Sequence, residues 1–217
     1  MANRKVKLKK DTIDYYNNHA HEYTASTQGI DMGEFYERFE KYLPPHAHVL
    51  DLGCGSGRDS LHFYQCGYEV TAIDPSSAMC LRTKELVNIP VFQMAAEDMT
   101  FEKEFDGIWA CASLLHVSAL DIVDVLKVVV TALKSEGVLY CSWKYGGAER
   151  VEDGRFFSDN TEDTIKRIVR QIDGVEVIEI WVTDDLRNYK TLPRWLNVIM
   201  RKTRSNPPKS SLENVVD

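Results

Sequence analysis

Short apolar runs alternate with amphipathic stretches along most of this chain. Residues 47–52, 69–73, 91–94, 105–111 and 137–143 are rich in Val, Ile, Leu, Phe and Ala and are bounded by Gly, Asp or Pro. Such runs predict buried strands. Between them, 57–66, 76–87 and 119–134 carry apolar residues at helical spacing, and Gly67 closes the first. In 119–134 the stripe is Ile122, Leu126, Val129 and Leu133, behind Ser118-x-x-Asp121, which has the form of a capping box. Two helices precede the first strand, at 11–24 and 31–43. The second repeats Phe35, Phe39 and Leu43 and is stopped by Pro44-Pro45. A loop over 144–160 interrupts the alternation. A helix at 161–172 follows, with Ile165, Ile168, Val169 and Ile172 on one face. Two strands, 175–183 and 195–201, complete the pattern, joined by Thr183-Asp-Asp-Leu-Arg-Asn-Tyr-Lys190.

Strands alternating with helices predict an α/β fold, a mainly parallel sheet covered on both faces. The last two strands lack a helix between them and therefore pair antiparallel. One core suffices for 217 residues that are 44% apolar. The expected organisation is a single domain over 11–202, with a helical lid at 11–45. A basic, solvated tail at 1–10 precedes it and a disordered tail at 203–217 follows.

Net charge is −7, which opposes a stable nucleic-acid partner. No run reaches the roughly 20 apolar residues of a membrane span, and Met1–Lys10 has no apolar stretch behind it. The five cysteines (54, 66, 80, 111 and 141) are odd in number and form no C-x-x-C, so neither disulfides nor a zinc site is indicated. A cytoplasmic monomer or homodimer is the expectation.

The chemistry concentrates in Val49-Leu-Asp-Leu-Gly-Cys-Gly-Ser-Gly-Arg58. A strand breaks into glycines 53, 55 and 57, a helix follows, and the next strand ends in Asp74. An α/β sheet builds a nucleoside site in this way, with backbone against the ligand and a carboxylate on the ribose. Dinucleotide sites favour G-x-G-x-x-G. The spacing here is G-x-G-x-G, with Asp51 two residues ahead, which suits a ligand carrying an ammonium and a sulfonium.

This stretch resembles motif I of the class I S-adenosylmethionine-dependent methyltransferases, and the resemblance runs from about Tyr15 to Arg201. Val70-Thr-Ala-Ile-Asp-Pro-Ser76 resembles the ribose-binding end of strand 2. Ala96-Glu97-Asp98-Met99 resembles the adenine-contacting turn. Phe105-Asp106-Gly-Ile-Trp-Ala110 resembles strand 4, and Leu133-Lys-Ser-Glu-Gly-Val-Leu139 the turn into strand 5. Ser135-Glu136 departs from the usual pattern there, while Gly137 is kept. Arg58-Asp59 after the glycines is similar to the small-molecule branch that includes the tellurite-resistance methyltransferases.

The resemblance implies a Rossmann-like seven-stranded sheet of order 3-2-1-4-5-7-6 and S-adenosylmethionine as cofactor. It also implies a set of cofactor contacts. Gly53, Cys54, Gly55 and Gly57 would border the cofactor. Asp51 would receive the methionyl ammonium, Arg58 would brace Asp51 or the methionyl carboxylate, and Asp74 and Pro75 would hold the ribose. Ala96, Glu97, Asp98 and Met99 would surround the adenine, with Ala112 beside the cofactor. In Asp14-Tyr-Tyr-Asn-Asn-His-Ala-His-Glu-Tyr-Thr24, Tyr23 would close over the cofactor and Tyr15 would face the acceptor.

The implied reaction is methyl transfer to a small-molecule acceptor by in-line displacement. His116 in Ser113-Leu-Leu-His116 is the candidate general base where one is needed. Lys144 and Arg155 would bind an anionic acceptor, with Trp143, Tyr145, Phe156 and Phe157 as aromatic neighbours. Asp184, Asp185, Arg187 and Trp195 read as structural. Three other readings stay open. The acceptor could be tRNA or protein, although Cys111-Ala-Ser-Leu stands where nucleobase methyltransferases often have N-P-P-Y. The pocket could bind cofactor without turnover. A nicotinamide dehydrogenase is opposed by the glycine spacing.

Overall fold

The computed structural model describes residues 2–187 and 194–204. Its centre is a seven-stranded sheet formed by β1 (His48–Leu52), β2 (Glu69–Asp74), β3 (Val91–Gln93), β4 (Phe105–Ala110), β5 (Leu133–Lys144), β8 (Val175–Thr183) and β9 (Trp195–Lys202). The order is β3-β2-β1-β4-β5-β9-β8, as the resemblance implied. β1 to β5 run parallel, and β9 is antiparallel to both β5 and β8.

Period-two alternation sends successive side chains to opposite faces. On β4, Ile108 joins one apolar core with Leu50, Leu139 and Leu126, while Trp109 joins the other with Phe39, Phe63 and Tyr140. The first core is covered by α6 (Ile122–Ala132) and α7 (Glu162–Val169), the second by α3 (Gly33–Glu40) and α4 (Arg58–Gln65). Trp109 stacks on Tyr140 with centroids 4.0 Å apart. Gly107 is small of necessity: a Cβ there would stand 2.7 Å from Phe39, so its absence lets α3 close on the sheet.

Local signals set the helix starts. Ser76 accepts from the Met79 amide and caps α5 (Ser77–Leu86), and Thr161 with Thr164 forms the reciprocal capping box of α7. Ser118 does not cap α6; its hydroxyl donates to Asp121 at 2.6 Å.

Four sequence expectations are corrected. The basic N-terminus is not a tail. α1 spans Ala2–Asn18, and Lys9 reaches Glu97 at 2.6 Å. A basic segment can stay helical where an acidic surface accepts its charge. The first expected helix also breaks at His19 before α2 (Ala20–Thr27). The stretch 144–160 is not plain loop, because β6 (Glu149–Glu152) and β7 (Arg155–Ser158) pair as a hairpin. Asp153 (φ 50°) and Gly154 (φ 79°) make its turn. β5 begins earlier than expected, at Leu133, with an irregularity that places Glu136 at φ 66°. The expected C-terminal tail from 205 onward lies outside the described residues.

Candidate functional site

The strand ends of β1, β2 and β4 open into a cavity of about 950 Å³. Gly53 and Gly55, Asp74 and Pro75, Ala96 and Glu97 line it, as do Ala112, Ser113 and His116. A second cavity of about 340 Å³ lies beyond it, and Tyr16, Tyr23, Gly53, Gly55, Cys111 and Ala112 border both.

The glycine turn is folded against β2. Gly53 and Cys54 amides both donate to the Ile73 carbonyl, at 2.8 and 3.0 Å. Positive φ at Gly53, Gly55 and Gly57 is a conformation that side chains resist. Asp74 Oδ2 accepts the Gly55 amide at 3.0 Å, and Oδ1 accepts the Ser76 amide at 2.8 Å. Burial pushes the Asp74 carboxyl up to about 6, and these two amides pull it back. Each carboxylate oxygen keeps acceptor capacity toward the cavity. Ser113 Oγ is buried there without a protein partner. A carboxylate, exposed backbone and an unpaired hydroxyl on one concave wall fit a polar nucleoside.

Several expected cofactor residues sit elsewhere. Asp51 lies off the wall, beneath the turn, and accepts Ser60 Oγ at 2.5 Å; burial and neighbouring Asp59 push its carboxyl up. Gly57 packs on α5, where a Cβ would meet Thr83 at 3.0 Å. Cys54 faces the second cavity and contacts Thr83. Arg58 braces neither Asp51 nor open space. It donates to Asp59 at 2.6 and 3.0 Å and to the Thr27 carbonyl at 3.2 Å, fastening α2 to α4 beside the second cavity. Asp98 is exposed and off both walls, and Met99 is core.

Among the lid tyrosines, Tyr16 and Tyr23 line the cavities and Tyr15 does not. They lie on either side of the break at His19, Tyr16 in α1 and Tyr23 in α2, so no single helical spacing marks the pair. Their rings meet edge-on at 5.2 Å. Burial raises the pKa of both phenols.

His116 is not poised as a free base. Its Nδ1 lies 2.6 Å from the Phe156 carbonyl and its Nε2 2.9 Å from Tyr16 Oη. A carbonyl only accepts, so Nδ1 carries the hydrogen and Nε2 accepts from Tyr16. Burial pushes the imidazole down to about 4; the Phe156 carbonyl opposes this, while Arg155 and Lys144 add to it.

Lys144 and Arg155 both line the second cavity. Asp184, Asp185, Arg187 and Trp195, expected to be structural, line it as well. Asp185 accepts from Trp195 Nε1 at 2.9 Å and Arg187 Nη2 at 2.7 Å. Away from both cavities, Glu40, His62 and Cys66 cluster at the ends of α3 and α4, with His62 Nε2 2.7 Å from Glu40. This is a contact that the separate histidine spacings did not reveal.

A methyltransferase-domain family matches residues 49–137, the segment that contains the glycine turn, Asp74 and β4. Residues 49–137 thus form a methyltransferase domain, set in the fold of the class I S-adenosylmethionine-dependent methyltransferases. Its curated relatives include YqeM of Bacillus subtilis, named as a methyltransferase, 32% identical over 59% of this chain and 57% of YqeM. They also include a carboxy-S-adenosyl-L-methionine synthase of Vibrio vulnificus, 30% identical over 52% of this chain and 51% of that protein. The chain thus spans only about half the length of these curated relatives. The fold is shared with the Burkholderia thailandensis 1,6-didemethyltoxoflavin-N1-methyltransferase solved with 1,6-didemethyltoxoflavin and S-adenosylhomocysteine. That match has a TM-score of 0.75 and 20% identity over 94% of this chain and 90% of that one. The [4+2]-cyclase SpnF has the same fold, with a TM-score of 0.64 and 15% identity over 79% of this chain and 81% of that one. No helix among the described residues is long and apolar enough to cross a membrane.

Proposed function

We propose that this chain binds S-adenosylmethionine in the larger cavity and methylates a small-molecule acceptor held in the smaller one. The observation that carries this reading is the shared wall. Tyr16, Tyr23, Gly53, Gly55, Cys111 and Ala112 face both cavities, so a group in one can meet a group in the other there. In this reading Asp74 accepts the ribose hydroxyls, charge-assisted bonds worth about 1.5–3 kcal/mol. Gly53 and Gly55 admit the ligand to the backbone, and Pro75, Ala96 and Glu97 border the base. Asp51 acts through the turn it supports rather than by direct contact. When bound, the cofactor supplies an electrophilic methyl group on a sulfonium, and the remaining work falls to the protein. Tyr16 and Tyr23 exclude water, and the second cavity orients the acceptor. Support for a small acceptor comes from the size of the second cavity, about 340 Å³, and from the toxoflavin methyltransferase that shares the fold.

Calorimetric titration with S-adenosylhomocysteine tests the cofactor assignment, on wild type and on Asp74→Ala. Saturable binding that falls at least tenfold in the variant is expected; a folded wild type that does not bind overturns the reading. S-adenosylhomocysteine formation in a metabolite extract passed through a small-pore filter then tests the acceptor. Activity confined to the retained macromolecules would favour a tRNA or protein acceptor instead.

A further inference from the structure

We infer that the second cavity takes a small planar acceptor that enters as an anion, its charge on or conjugated with the methylated atom, and that Arg155 and Lys144 receive it. This deepens the proposed methyl transfer and rests on it.

The first ground is the state of the two cations. The Arg155 guanidinium is fixed between rings, 4.3 Å from the Tyr15 centroid and 5.2 Å from Phe157. Its nearest acid is Asp153, 3.6 Å away and itself largely exposed on the hairpin turn. Arg155 Nε is buried without a protein partner. Lys144 Nζ lies 4.0 Å over the other anchor, the Phe157 ring, and 3.2 Å from Glu152, which is half-exposed. Burial lowers the Lys144 pKa; Glu152 opposes this, and Arg150 and Arg155 add to the lowering. Lys144 at the end of β5 and Arg155 on the hairpin are thus two packed cations at the second cavity, and the acids beside them, Glu152 and Asp153, line it too but are far more exposed to water than the cations they face. A planar guanidinium with an unpaired N–H matches a planar oxyanion, and the neighbouring aromatic faces suit a flat ring.

The second ground is the lack of a group to take a proton. His116 has both nitrogens engaged and is held neutral. Burial pushes the Cys111 thiol up to about 12. Asp59 is bound by Arg58, Tyr36 and Trp109, Asp185 by Arg187 and Trp195, and Glu152 and Asp153 face the two cations. Asp184 is exposed. An acceptor that is already anionic needs none of them. Its lone pair attacks the methyl carbon, the carbon–sulfur electron pair leaves on sulfur, and the products are a neutral methylated acceptor and a neutral thioether. No proton moves, and the cation pair holds the acceptor in its reactive state.

The test is fluorine NMR at pH 7.5 on protein saturated with S-adenosylhomocysteine, with 4-fluorobenzoate and the neutral 4-fluorobenzamide as probes. Wild type should broaden and shift the carboxylate signal at millimolar probe and leave the amide unaffected. Arg155→Gln should weaken carboxylate binding at least tenfold. Glu152→Gln, which releases Lys144, should strengthen it about threefold and keeps the test decisive if the arginine variant fails to fold. Absent carboxylate binding, equal binding of the two probes, or variants that leave it unchanged would each overturn the proposal alone. Failure to load S-adenosylhomocysteine would overturn the cofactor assignment and the proposal with it.

Discussion

Gly53 lies so close to Ser113 that a Cβ built on the glycine would stand 2.3 Å from the serine Cβ. The turn after β1 thus closes directly on the exit of β4. Gly53 also holds φ at 78°. Gly53→Ala meets both a clash with the Ser113 side chain and left-handed strain, together costing about 2–4 kcal/mol. Gly67→Ala is the matched control, with φ 85° but no atom within 4 Å. Thermal melting should show the Gly53 variant several degrees below the Gly67 variant, and only the former should lose S-adenosylhomocysteine binding. Equal melting and equal binding would contradict the close-packed turn.

Asp74 makes the affinity for the cofactor depend on pH. Burial raises its carboxyl to about 6 in the free protein, and ribose hydroxyls donate best to the ionised form. Below pH 6 binding must expel a proton, so affinity should fall by up to about tenfold per pH unit as pH drops; above pH 6 it should be flat. Calorimetry with S-adenosylhomocysteine at pH 5 and 7.5 measures this. Asp74→Asn should bind more weakly at pH 7.5 and lose the slope. A variant that keeps the wild-type slope would show that another group titrates.

The glycine turn and Asp74 were legible in the sequence because each rests on local spacing, whereas the strand order and the Ala96–Glu97 turn followed from the family resemblance that those motifs carry. Asp51 and Arg58 were harder. Both flank the glycines, but their partners Ser60, Asp59 and Thr27 are fixed by how α2 and α4 pack, which no local pattern encodes. Met99 was ambiguous for a similar reason: a methionine before Phe101 serves a core or a ligand equally well until β4 and α6 are placed. The 149–158 hairpin was missed because its strands are short and polar on one side, and its turn uses Asp153 and Gly154 within a segment without clear alternation. Tyr16 was obscured by its neighbour Tyr15, and the break at His19 hides its edge-on contact with Tyr23 from any helical spacing.

Asp59 is the most heavily used carboxylate of the described residues near the site. It accepts from Tyr36 Oη at 2.5 Å, Trp109 Nε1 at 2.8 Å, and Arg58 at 2.6 and 3.0 Å. Burial works against its charge, but Arg58 and these hydrogen bonds hold the carboxyl below the usual range. Asp59→Asn leaves the Arg58 guanidinium buried without its counter-ion, a loss on the order of 3–5 kcal/mol. Urea denaturation at pH 7 should show that loss, whereas Asp98→Asn, at an exposed position, should fall within about 0.5 kcal/mol of wild type. Similar midpoints for the two variants would mean that Arg58 finds water when Asp59 is neutralised.

His116 gives the fold a pH signature that a mutant cycle isolates. Its imidazole is held down at about 4 when folded and returns to about 6.5 when unfolded. The unfolded chain therefore binds a proton between pH 6.5 and 4 that the folded chain refuses, and stability falls as pH drops through that window. The loss is on the order of 3 kcal/mol by pH 4 and is absent above pH 6.5. Asp51 and Asp74 are raised in the folded state and act with the opposite sign, since their contribution to stability falls as pH rises. The net profile of wild type mixes these effects. His116→Gln retains both aspartates and lacks the imidazole, so subtracting its stability from that of wild type cancels them. Urea unfolding at pH 7.5 and 4.5 should show the wild-type advantage shrinking by about 2–3 kcal/mol at the lower pH. An advantage that stays constant would mean that His116 takes up its proton in the folded state, and that the Tyr16 hydroxyl is not committed to Nε2.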